Sequence, residues 1–153
     1  MYNLFLSHSW SYKDAHVHLL DLLNLANRFP YRPHWVQRDH PVHAAQNAVL
    51  LKRAIHSEMQ SCNVVIVMAG VFPLYRPWIN EEISLAGRGF EVPKPILLIE
   101  PWSSEGTTEV ERANADKIVP WDQLEIITAL RELEFQHREM SARRTRPLSN
   151  SAA

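Results

Sequence analysis

A chain of 153 residues, 46% hydrophobic and 22% charged, has the composition of one globular domain with a sizeable core, which excludes a chain disordered throughout. Its formal net charge of -1 argues against a nucleic-acid module, which would be expected to show a basic stripe, and the one local excess is Arg138, Arg143, Arg144 and Arg146 near the C-terminus. The single cysteine, Cys62, leaves no intramolecular disulfide framework, and no run approaches the roughly 20 apolar residues of a membrane span.

In chain order, Tyr2 to Leu6 is apolar at nearly every position and predicts a short, central strand. The N-terminus has no basic n-region and its apolar stretch is too short for a signal peptide, so a cytoplasmic protein is expected. Lys13 to Arg28 predicts a helix, with Leu19, Leu22, Leu23 and Ala26 as its apolar stripe and Pro30 as its end. His34 to Gln37 is a candidate second strand, followed by a polar loop at Arg38-Asp39-His40-Pro41. A second helix is expected from about Ala45 to Gln60, with Ala48, Leu51, Ile55 and Met59 on one face.

The most apolar run, Cys62 to Gly70, contains a strand at Val64 to Ala69, with Cys62 read as a small buried hydrophobe. A third helix opens at Arg76-Pro77-Trp78. A fourth strand follows at Pro95 to Ile99, then an irregular stretch rich in Ser, Thr and Glu, a fifth strand at Lys117 to Val119 and a last helix from Asp122 to about Arg138. Strands alternating with helices predict a roughly five-stranded parallel sheet covered on both faces, a three-layer α/β/α arrangement. The domain is drawn over residues 1–138, and residues 139–153, with Arg143, Arg144 and Arg146, read as a basic flexible tail.

The third helix carries the most informative pattern. At roughly 100° per residue, Ile79, Ile83 and Ala86 share the face that packs on the sheet, while Asn80 and Ser84 point away. Trp78 and Glu82, one turn apart, fall on the border of that face, and Glu81 lies further toward water. Glu82 is thus placed as a half-buried carboxylate beside an aromatic at the sheet's carboxyl edge. The competing reading, that both acids only serve the helix N-terminus, carries equal weight on the wheel alone.

Other motifs narrow the chemistry. The first strand ends in Ser7-His8-Ser9-Trp10-Ser11 without a glycine, which argues against a dinucleotide fingerprint or a P-loop. Ser9 or Ser11 is expected to cap the following helix. A receiver domain would want acids where Ser7 and Ala69-Gly70 stand. The eight histidines show no metal-ligand spacing and are read as surface or loop residues, so no metal is assigned. No Gly-x-Ser-x-Gly elbow supports a hydrolase triad. Trp102 and Trp121, each after a proline, either plug the rim of the core or line a cleft that stacks a planar ring, the plug being favoured.

Phe5-Leu6-Ser7-His8-Ser9, the loop around Asp39-His40-Pro41 and Trp78-Ile79-Asn80-Glu81-Glu82-Ile83 followed by Ala86, in this order, resemble a TIR (Toll/interleukin-1 receptor) domain over residues 1 to about 135. The stretch Val64 to Trp102, with Lys94-Pro95-Ile96 and Ile99-Glu100-Pro101-Trp102, is similar to the TIR-like subunit of Thoeris anti-phage defence. The resemblance implies a flavodoxin-like fold and cleavage of NAD, as substrate and with no cofactor, at the nicotinamide-ribose bond. It implies Glu82 as the catalytic carboxylate and Phe5, Ser7, His8, Ser9, Asp39 and Trp78 as the substrate-binding set. It also implies a cyclised or conjugated ADP-ribose signal for a separate effector protein, and association of copies on activation. The loop from Arg28 to Gln46, with Trp35 and many His and Arg residues, departs from the family pattern. Two other readings stay open: a non-enzymatic TIR adaptor module, and a nucleoside transferase-like enzyme whose carboxylate attacks a ribosyl centre.

Overall fold

The computed structural model describes residues 1–36, 48–70, 76–101 and 106–145. Five strands form one all-parallel sheet: β1 Tyr2–Leu6, β2 Tyr31–His34, β3 Val64–Met68, β4 Ile96–Glu100 and β5 Lys117–Pro120. Their order is β2-β1-β3-β4-β5, that of flavodoxin-like doubly wound sheets. The helices are α1 Ala15–Asn24, α2 Ala48–Met59, α3 Arg76–Arg88, α4 Glu109–Asn114 and α5 Gln123–Thr145, with a 3-10 segment at His8–Asp14. They pack in two groups, α1 with α5 and α2 with α3 and α4, as a sheet covered on both faces requires.

Burial follows position in the sheet. Every residue of β3, the middle strand, is buried, as are the first four of β4 and the last three of β1. β1 is interior, flanked by β2 and β3, while the central place belongs to β3. β2 lies three residues earlier than expected and contains Pro33. A proline lacks a ladder donor and is tolerated because β2 is an edge strand.

Several boundaries differ from the sequence reading. α1 is shorter at both ends: Lys13 and Asp14 adopt left-handed φ values of 45° and 54°, so the chain kinks sharply before the helix begins. In α2, Leu51, Ile55 and Met59 are buried, but Ala48 is exposed because it opens the helix. α4 was unforeseen, yet Thr108-x-x-Glu111 is a capping box: the Thr108 hydroxyl accepts from the Glu111 N–H at 3.1 Å. α5 runs to Thr145, past the Arg138 boundary, so residues 139–145 continue the helix.

Where the chain leaves β3, Gly70 has a φ of 80°. A Cβ placed on Gly106 would lie 2.8 Å from the Gly70 Cα, so the backbones cross in direct contact.

Candidate active site

In this strand order the point between β1 and β3 is where consecutive connections diverge, and ligands of such sheets bind there beyond the carboxyl ends. Ser7 and the 3-10 segment close over that point. Ser7 caps the segment, its Oγ accepting from the Ser9 N–H at 3.2 Å. The cap expected from Ser9 or Ser11 on α1 is absent: Asp14 stands at that position in a left-handed conformation and makes no side-chain cap bond, while Ser9 serves another task. Its Oγ accepts the Met68 N–H at 2.8 Å, pinning the segment to the end of β3, and it also contacts Ser7 Oγ. The Trp10 indole donates to Ile66 O at 3.0 Å.

Glu82 enters from α3 and is fully buried, beyond the half-burial read from the wheel. The His8 N–H donates to both carboxylate oxygens at 3.0 Å, and His8 Nδ1 meets Oε1 as well. Burial pushes the Glu82 carboxyl up from its ordinary range, and the hydrogen bonds and charge of His8 pull it partly back. The Trp78 ring lies 5.4 Å from the His8 ring, tilted by 45°. Glu81 is only partly buried and pairs with Lys52 at 3.5 Å, so the two neighbouring acids occupy different environments, as the wheel separates them.

The structure thus gathers Ser7, His8, Ser9, Trp78 and Glu82 into one cluster. Ser7, His8 and Ser9 are buried and bonded inward. Phe5 is fully buried within β1, and Asp39 lies outside the described residues. Of the histidines read as surface or loop residues, His8 does lie in the loop after β1 but is buried there, and His137 is buried on α5. Among the described residues no group of three or more His, Cys, Asp or Glu is arranged to hold a metal.

A further acid, Glu111, carries no apolar pattern that marks it in the sequence. It is buried, burial lifts its carboxyl, and hydrogen bonds from Thr108 counter the lift. Its Oε2 has no hydrogen-bond partner among the described residues. The capping-box spacing was the signal that could have found it. Trp121 lines a cavity instead of sealing the core, while Trp102 lies outside the described residues.

A parallel sheet in this order, with a buried carboxylate one turn after a tryptophan beneath the β1 loop, defines a TIR-like α/β domain. A family model for the TIR-like domain of the Thoeris protein ThsB matches residues 5–106, more than half the chain, and the chain belongs to that family. Membership supports a Thoeris-type defence role and implies a separate effector partner. No curated protein matches the chain. Among the described residues no helix is long and apolar enough to cross a membrane.

Proposed function

We propose that the chain cleaves the nicotinamide-ribose bond of NAD at Glu82, in the cytoplasm, and releases a cyclised or conjugated ADP-ribose that activates the separate effector. The observation that carries this reading is the buried Glu82 carboxylate, set below the loop at the carboxyl end of β1 beside Trp78. The bond from ribose C1′ to the pyridinium nitrogen breaks with its electron pair passing to nicotinamide, which departs neutral. No acid is needed at the leaving group, so one carboxylate can suffice where ordinary glycosidases use two. Glu82 stabilises the oxocarbenium-like charge at C1′. The new bond to C1′ comes from a ring nitrogen of the product's own adenine or, for a conjugate, from a nucleophilic atom of a second molecule, and that nucleophile loses one proton.

The resting arrangement also accounts for restraint. The His8 backbone N–H bonds both Glu82 oxygens, and the buried His8 ring also covers Oε1, so in our reading the ring turns aside to let a ribose reach that oxygen. Association of copies is the event we assign to that opening, and turnover by a dilute monomer is therefore slow.

A second reading, the adaptor module, draws on the same closure: a sealed His8–Glu82 pair can serve as a structural tie alone. Chromatography separates the two. Wild type, concentrated or supplied with extract from phage-infected cells, should release nicotinamide from NAD, and its filtrate should activate the effector. Intact NAD in the presence of a responding effector would establish the adaptor instead.

A further inference from the structure

A cavity of about 700 Å³ opens at the carboxyl edge of the sheet, and neither Glu82 nor His8 is among its walls. It lies between α1 and the residues that end or follow β3, β4 and β5, namely Met68, Pro101 and Trp121. Its volume falls within the roughly 300–1,000 Å³ of small-molecule sites. Trp10 forms the back, almost wholly buried and fixed by its indole bond to Ile66 O. Trp121 stands against it, the two ring centroids 6.2 Å apart and tilted by 45°. That gap is too narrow and too tilted for a third ring to enter. Trp121, however, is 38% exposed and firmly backed, which makes it a stacking platform for a ring arriving from outside.

Polarity narrows the ligand. Leu22 on α1 and Leu25 at its C-cap provide an apolar wall, and the exposed Asp21 and His18, three residues apart on the helix, bring polar groups to the rim. With no Lys or Arg among the described lining residues, the Asp21 carboxylate disfavours phosphate but accepts hydrogen bonds from a ring amino group or from paired hydroxyls. We infer that this cavity binds a purine nucleoside lacking phosphate, its base stacked on Trp121 and its donors held by Asp21.

The site stands independently of any chemistry at Glu82, but it is mechanically close to it. Trp10 and Met68 are both wall residues, and the Ser9 Oγ–Met68 N–H bond joins the segments that carry them. His8 is two residues from Trp10 on that same segment.

The test is titration of the full chain with adenosine and with AMP, followed by nuclear magnetic resonance of the tryptophan indole N–H signals. Adenosine should saturate and shift the Trp121 and Trp10 indoles while leaving that of Trp78 in place. Trp121→Ala should weaken adenosine about tenfold or more, the scale of a lost base-aromatic stack, and Trp121→Phe, which keeps a ring, only a few-fold. AMP should bind less tightly than adenosine, and Asp21→Asn should narrow that difference. Circular dichroism checks that each variant is folded. The inference is overturned if adenosine does not saturate, if the Trp78 indole moves and the Trp121 indole does not, or if AMP binds more tightly than adenosine.

Discussion

The His8 backbone N–H is shared between the two carboxylate oxygens of Glu82, 3.0 Å from each, across 74 residues of sequence. This bond joins the loop after β1 to the middle of α3 and fixes the orientation of the carboxylate. Any activity of Glu82 must operate through that restraint.

Glu82→Gln keeps the shape of the side chain and removes its charge. NAD consumption by an activated preparation should fall by about 10² or more, the scale of losing one charge partner in a transition state. Glu81→Gln should be much milder, because Glu81 makes only an exposed pair with Lys52. Nicotinamide release measured for both variants decides the matter, and equal losses in two folded variants would contradict the assignment to Glu82.

The Glu82 carboxyl is held above its ordinary 4.5 by burial, with His8 opposing. The acid limb of the pH profile for NAD cleavage should accordingly lie above pH 4.5, and His8→Ala should move it higher. Stability follows with a defined sign. A folded-state value raised above the unfolded one gives a contribution that is complete below pH 4.5 and lost as pH rises through the folded value. Glu82→Gln, uncharged throughout, should therefore gain stability over wild type at pH 8, and the gain should shrink toward pH 4.5. Urea unfolding at several pH values measures this, and a gain that grows toward acid would refute it.

Ser9→Ala removes the acceptor for the Met68 N–H, which is buried. An orphaned buried donor costs about 1–3 kcal/mol. Thermal melting should show a drop of about 2–4 °C for each kcal/mol in a chain of this length. Ser9→Thr retains the hydroxyl and discriminates the lost bond from a general intolerance of change.

Cys62 is 1% exposed, and burial is the largest influence pushing its thiol up to about 12. At pH 8 a thiol reagent should label the native chain only as fast as it opens, and the urea-unfolded chain within the mixing time. Rapid labelling of the native chain would show that the segment before β3 is loose.

The parts of the fold legible in the sequence were those whose apolar pattern reports burial directly. β1, β3 and β4 are apolar at nearly every position because both faces of the sheet are covered, and α3 announces its inner face through Ile79, Ile83 and Ala86. β2 was misplaced because an edge strand with partly exposed residues and Pro33 carries little of that signal. α4 escaped notice because its marker is polar, and the end of α5 because its last turns bear Arg143 and Arg144 on exposed positions. At the site, Glu82 could be singled out from Trp78 one turn earlier. Its bond to His8 could not, since pairing across 74 residues leaves no local periodicity.

The meeting of Gly70 and Gly106 has a consequence for how this edge of the molecule tolerates change. A methyl group on Gly106 has no flexible neighbour to displace: it meets the Gly70 Cα, and backbone must yield. One way of yielding moves the exit of β3, two residues from the amide that holds Ser9. The other moves Thr107, whose hydroxyl donates to the Glu100 carboxylate. The smallest possible enlargement at a position far from Glu82 in sequence thus transmits to the loop above the carboxylate, and variants of Gly106 should disturb the site without touching any of its side chains.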